Sequence, residues 1–167
     1  MENVSINQSI HLSEHFTLGE VIKSRHAEIY NIPSHVAIEN LKRVCSWLEE
    51  LRRRYNLRYV LRSVSTPELG GEKDTPIIIN SGYRSPQLNR KVGGSPTSNH
   101  LTGCAVDIRV AGIEQAMRYA VILMDYADET KQDYDEILIE KNRYGAIWVH
   151  FAVRPKDNRR KTMILQI

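Results

Sequence analysis

The stretch from Pro33 to Tyr55 constrains the fold most. Ala37, Leu41, Val44, Leu48, Leu51 and Tyr55 recur at spacings of four and three, which places them on one stripe of an amphipathic α-helix. Pro33-Ser34 supplies its start. A helix with one apolar stripe has to bury it against another layer. Before it, Thr17-Leu18-Gly19-Glu20 fits a capping box, so a short helix is expected to run to about Arg25, preceded by an extended arm over residues 1–16. After it, the polar, turn-rich residues 65–75 read as a loop.

The later part of the chain changes period. Ile77, Ile78 and Ile79 read as a buried strand, and Gly82 permits a turn after it. The irregular residues 84–99 contain one helical turn at Pro86 to Arg90. In "CAVDIRV", Cys104, Val106, Ile108 and Val110 share one strand face, and Ala105, Asp107 and Arg109 share the other. Residues 113–127 should be helical, with Ala116, Ala120, Leu123, Met124 and Ala127 inward. "DEILIE" and "AIWVHFAV" are two more strands, and Lys141 to Gly145 have the length of a hairpin connection. Helices first, strands later and one helix between them give an α+β class with a small, mostly antiparallel sheet. The 167 residues are read as a single domain.

A hydrophobic content of 41% and a charged content of 26% fit a globular chain rather than a disordered one. A net charge of +3 is too small to argue nucleic-acid binding. The runs Arg52-Arg53-Arg54 and Arg159-Arg160-Lys161 read as solvated faces or tail. Cys45 and Cys104 lie far apart without a CxxC neighbour, and both read as small buried residues. No stretch suits a signal peptide or a membrane span, so the expectations are a chain cytoplasmic as synthesised, with no nucleic-acid partner and no membrane insertion, acting as a monomer.

The stretch "SNHLTGCAVDIRV" carries the chemistry. His100 and Asp107 lie seven positions apart, and Gly103 between them permits the chain to fold back. Asp107 sits on the polar side of an otherwise apolar strand, where a buried carboxylate needs a partner. A catalytic zinc takes three protein ligands and leaves a position open. His150, in the apolar strand "IWVHFAV", is the candidate third ligand. Each of these residues alone reads as an ordinary hydrogen-bonded core or surface group; the set of three is what suggests a metal.

A hydrolase also needs a general base. With Lys141 to Gly145 as the loop, Glu140 would pair with Ala146, Leu138 with Trp148 and Glu136 with His150. Glu136, Glu140 and His150 then share a face, and either glutamate is a candidate base. Tyr83, Arg84 and Ser98 are the remaining candidates for holding substrate. The Arg84 fork suits a carboxylate and should emerge at a sheet end.

"SGYRSPQLN", "VGGSPTSNHLTGCAVDI" and "WVHFAV" together resemble the zinc D-Ala-D-Ala carboxypeptidases and L-alanyl-D-glutamate peptidases of peptidase family M15, subfamily A. "HFTLGEVIKS" resembles the N-terminal segment of phage-type members, and the likeness spans about residues 15–155. The resemblance implies a hedgehog/DD-peptidase-like fold with helices packed on an antiparallel sheet. It implies one zinc per chain on His100, Asp107 and His150, with Arg84 holding a substrate carboxylate or oxyanion and Ser98 beside it. The implied reaction is hydrolysis of a peptide bond in the peptidoglycan stem, zinc polarising the carbonyl and activating water.

Two departures stand out. Many members carry an acidic base three residues before the last histidine, where this chain has Ile147; Glu140 is the expected replacement, with Glu136 behind it. The segment over residues 58–75 is longer than usual and could form a flap or an extra hairpin. A prophage-derived enzyme is one expectation. A non-catalytic wall-binding module, or a phage structural part that keeps the fold, is the other.

Overall fold

A computed structural model describes residues 7–60 and 74–167. The expected loop at 65–75 and the possible flap at 58–75 therefore lie largely outside the described residues. The helices are α1 (Leu18–Ile22), α2 (His35–Tyr55), α3 (Pro86–Lys91) and α4 (Ile113–Thr130). The strands are β1 (Ile79–Ser81), β2 (Ala105–Arg109), β3 (Glu136–Lys141), β4 (Ile147–Ala152) and β5 (Lys161–Gln166). Among the described residues they form one five-stranded sheet in the order β1-β2-β4-β3-β5. Every pairing is antiparallel except β3 with β5, so the class is α+β with a mostly antiparallel sheet.

The helix ends follow local chemistry. The Glu20 carboxylate accepts from the Thr17 backbone N–H at 2.7 Å and from its hydroxyl at 2.9 Å, which starts α1. Ser34 caps α2 by accepting from the Ala37 N–H, and all six residues of the apolar stripe are buried. A short π-helical turn, Asn56–Val60, continues α2. Along α4, Ala116, Ala120, Leu123 and Ala127 are buried as expected, and Met124 packs partly buried against the core. Residues 7–16 fold back on α1 rather than standing away as an arm. Leu18 N–H donates to Ile10 O and Gly19 N–H to Gln8 O, while Leu12 and Phe16 enter the core.

The sheet has two unlike faces. Val106, Ile108, Ile137, Ile139, Val149 and Phe151 face α2 and α4 and form the core with them. Trp47 of α2 meets Phe151 at 5.4 Å between ring centroids. The opposite face is built from three cross-strand rows. Ala105, Ala152, Glu136 and Lys161 make one; Asp107, His150, Leu138 and Met163 make the next; Arg109, Trp148, Glu140 and Leu165 make the third. Paired residues across a sheet share a face, so this face collects the polar groups.

Two further expectations, both about strands, need correction. The first strand runs Ile79–Ser81 rather than Ile77–Ile79, although Ile77 is buried beside it. The hairpin loop is Asn142–Ala146, slid by one residue, because Asn142 Oδ1 accepts from the Tyr144 and Ala146 N–H groups and closes the turn there. The pairs are therefore Glu140 with Trp148, Leu138 with His150 and Glu136 with Ala152. The run Arg159-Arg160-Lys161 is exposed, as expected of a solvated face, but it is tied down: Arg159 pairs with Asp135 and Glu136, Arg160 with Asp128 and Asp133, and Lys161 opens the edge strand β5.

Candidate metal centre

His100 sits on a 3₁₀ turn, Asn99–Thr102, between α3 and β2. Ser98 caps that turn, its hydroxyl accepting from the His100 N–H at 3.3 Å. Gly103 ends it with φ +73°. A side chain there would put its Cβ 2.5 Å from Ala37 O, so only glycine lets the turn dock on α2. The turn folds the chain back so that His100 overlooks β2, where Asp107 pairs directly with His150 of β4. A loop histidine and two cross-strand residues thus converge. Donor atoms of His100, Asp107 and His150 all lie within 4.8 Å of one another.

Hydrogen bonds set the direction of each donor. His100 Nδ1 lies 2.6 Å from Gly82 O. A carbonyl only accepts, so Nδ1 carries the proton and Nε2 presents its lone pair toward Asp107 Oδ1, 3.3 Å away. Gly82 can serve because it has no side chain: a Cβ there would meet Val21 O at 2.3 Å. His150 Nε2 faces Glu136 Oε2 at 3.2 Å, and its Nδ1 faces the same Asp107 Oδ1 at 3.0 Å. The second oxygen of Asp107 accepts from Arg84 Nη2 at 2.7 Å.

Two imidazole nitrogens and a carboxylate oxygen therefore point at one place with their outer partners fixed. Acceptors facing each other in a buried site need a cation between them, a metal or a proton. Two histidines and an aspartate are an ordinary catalytic zinc donor set, so the residues fit the metal. The same electrostatics hold a proton. Burial alone would lower the His150 pKa, but Asp107 and Glu136 outweigh it and push it to about 9. Burial likewise opposes ionisation of Asp107, and the two histidines override it and hold the carboxyl far below its usual range.

The two candidate bases differ sharply. Glu136 is tied down, accepting from Asn99 Nδ2 at 3.1 Å and pairing with Arg159 at 3.0 Å. Its bond with His150 is the chief reason its pKa falls to about 2. Glu140 lies one row away, opposite Trp148, and burial raises its pKa above the ordinary glutamate value. Both line one cleft of about 1020 Å³ with Arg84, Ser98 and the three convergent residues. Ile147 occupies the other face of β4 and packs against the core.

Tyr83 is not brought to this cleft. Its side chain is buried within the apolar core, and its N–H donates to Val21 O, so its expected contact with substrate is replaced by packing. Arg84 does line the cleft, but part of its fork is already committed to Asp107, and its Nε donates to Ser81 Oγ. The sequence reading missed Asn99, Asp135 and Arg159. Asp135 is fully buried and accepts from Asn99 and from Arg159, which joins the metal-side turn to the start of β3 and the approach to β5. An acid placed just before a buried strand was the one available signal.

Comparison with known families agrees with this geometry. A family model described as Peptidase M15 matches residues 66–132. Within the described residues that segment holds Arg84, His100 and Asp107, and it stops before His150. No curated protein matches the chain.

Proposed function

We propose that this chain, whose residues 66–132 match the Peptidase M15 family model, is a metallopeptidase of that kind, a zinc-dependent hydrolase of peptide bonds in the peptidoglycan stem. The observation that carries this reading is the convergence of His100, Asp107 and His150 within 4.8 Å at the floor of a cleft large enough for a peptide. His100 Nε2, an Asp107 oxygen and His150 Nδ1 would hold the metal. Bound there, zinc supplies Lewis acidity to a scissile carbonyl and makes water nucleophilic near neutral pH.

The protein's own groups divide the remaining work. Glu140 takes the proton from the attacking water and returns it to the leaving amine. Its burial supports this role, because a carboxylate with a raised pKa is the better proton carrier near neutral pH. Glu136 and Gly82 O fix the two histidine rings, which keeps the ligand nitrogens aimed. Arg84 neutralises Asp107 and presents the rest of its guanidinium to a substrate carboxylate or oxyanion. Ser98 lines the same wall.

Mass spectrometry of defined stem peptides after incubation with zinc-loaded protein tests the reading. Released D-alanine identifies a carboxypeptidase, and a cut after L-alanine or at a cross-link identifies an endopeptidase. A chain that holds zinc and leaves every stem peptide intact would instead be a wall-binding module.

A further inference from the structure

Arg84 lines a second cleft as well as the metal cleft. This second space, of about 590 Å³, lies between the end of α1 and β1–β2 and is bordered by Lys23, Arg25, His26 and Arg109. Ser81 and Leu88 complete the wall nearest Arg84. Among the described residues, no acidic one borders it. His26 is engaged by Glu28 at 3.2 Å, and Arg109 donates to the neutral Asn80 amide. Among the described residues no carboxylate lies within ion-pair distance of Lys23, Arg25 or Arg109. Elsewhere the arginines are mostly paired: Arg53 and Arg54 with Glu50, Arg118 with Glu114, and Arg159 and Arg160 with aspartates. A set of unneutralised cations around one concavity therefore marks a place for an anion.

We propose that this cleft is a carboxylate subsite, in which Lys23, Arg25 and Arg109 hold an acidic residue of a peptide whose scissile bond lies in the metal cleft. The assignment deepens the peptidase reading and rests on it. Arg84 and Val92 border both clefts, so the two adjoin and a peptide that crosses this edge would reach both. That adjacency favours an acid on the substrate itself over a separate anion. Solvent-exposed cations such as these select for charge more than for shape, and salt weakens them.

The test uses two fluorescent stem pentapeptides that differ only in whether the acidic residue carries a free carboxylate or an amide. Stopped-flow anisotropy of the zinc-loaded full chain reads binding before turnover, and mass spectrometry of the same mixtures reads cleavage. The carboxylate peptide should bind about fivefold more tightly at low salt, the size that two exposed ion pairs supply. The preference should vanish in Arg25→Gln/Arg109→Gln, reverse in Arg25→Glu/Arg109→Glu and survive in Arg25→Lys/Arg109→Lys. Equal binding of both peptides by wild type overturns the subsite, and so does a preference that the charge-reversed variant keeps. Discrimination without cleavage supports the subsite and removes the peptidase reading; cleavage of both peptides without discrimination does the opposite.

Discussion

At His100 one bond decides what the ring can do. Gly82 O holds a proton on Nδ1, which leaves Nε2 of the neutral ring as the acceptor, aimed with an Asp107 oxygen and His150 at one point. The same logic accounts for Ile147. Side chains three apart on a regular strand face opposite ways, so the position three before His150 looks into the core, and an acid there could not reach the cleft in this register. Glu140 supplies a carboxylate to the correct face from the neighbouring strand. Glu140→Gln should therefore keep its zinc and lose roughly 10²–10⁴-fold in kcat. Because burial raises the Glu140 pKa, the wild-type kcat/KM should climb with pH through a limb above the ordinary glutamate value. Turnover unchanged in Glu140→Gln under steady-state assay would remove it from the role.

Among the elements, the β3–β4 hairpin shows how a register error can leave a functional inference intact. The loop is displaced by one residue, which moves every cross-strand pair by two and preserves which side chains share a face. Glu136, Glu140 and His150 were legible as one face for that reason, although none of the expected pairs formed. β5 was not legible: Lys161–Gln166 has an apolar centre but sits after a basic run, and only its parallel pairing with β3 makes it a strand. α2 and α4 are joined by charge as well as by packing. Glu50 accepts from Arg53 and Arg54, and Arg54 reaches Glu129 of α4. The Arg53 hydrogen bond leads the causes that hold the Glu50 carboxyl at about 2. A carboxyl depressed in the fold stabilises it fully above its ordinary pKa and loses that contribution as pH falls through about 2. Glu50→Gln should cost about 0.5–1 kcal/mol at neutral pH, a solvent-screened value, and almost nothing near pH 2. Urea midpoints at both pH values check this, and an equal cost at both would contradict it.

For the molecule as a whole, the division of the sheet organises everything else. One face is closed by α2 and α4, and the other carries three rows of residues that form the cleft floor. The α+β class could be read from periodicity and the His100–Asp107 pair from local spacing, whereas His150, 43 positions beyond Asp107, was marked by its place in an apolar strand and by the family resemblance. Among the described residues, no helix is long and apolar enough to cross a membrane. Asp135 with Arg159 could not be read, because the two lie 24 positions apart and meet only once β5 lies beside β3. Tyr83 was assigned to substrate from its neighbours in the motif, yet alternation along the chain turns it into the core while Arg84 emerges. The central claim is that His100, Asp107 and His150 hold one zinc. Zinc content per chain, measured by plasma mass spectrometry after zinc loading and gel filtration, tests it most directly. The account predicts one zinc in wild type and nearly none in His100→Ala or His150→Ala, with circular dichroism unchanged. Full zinc retention in either folded variant would contradict it.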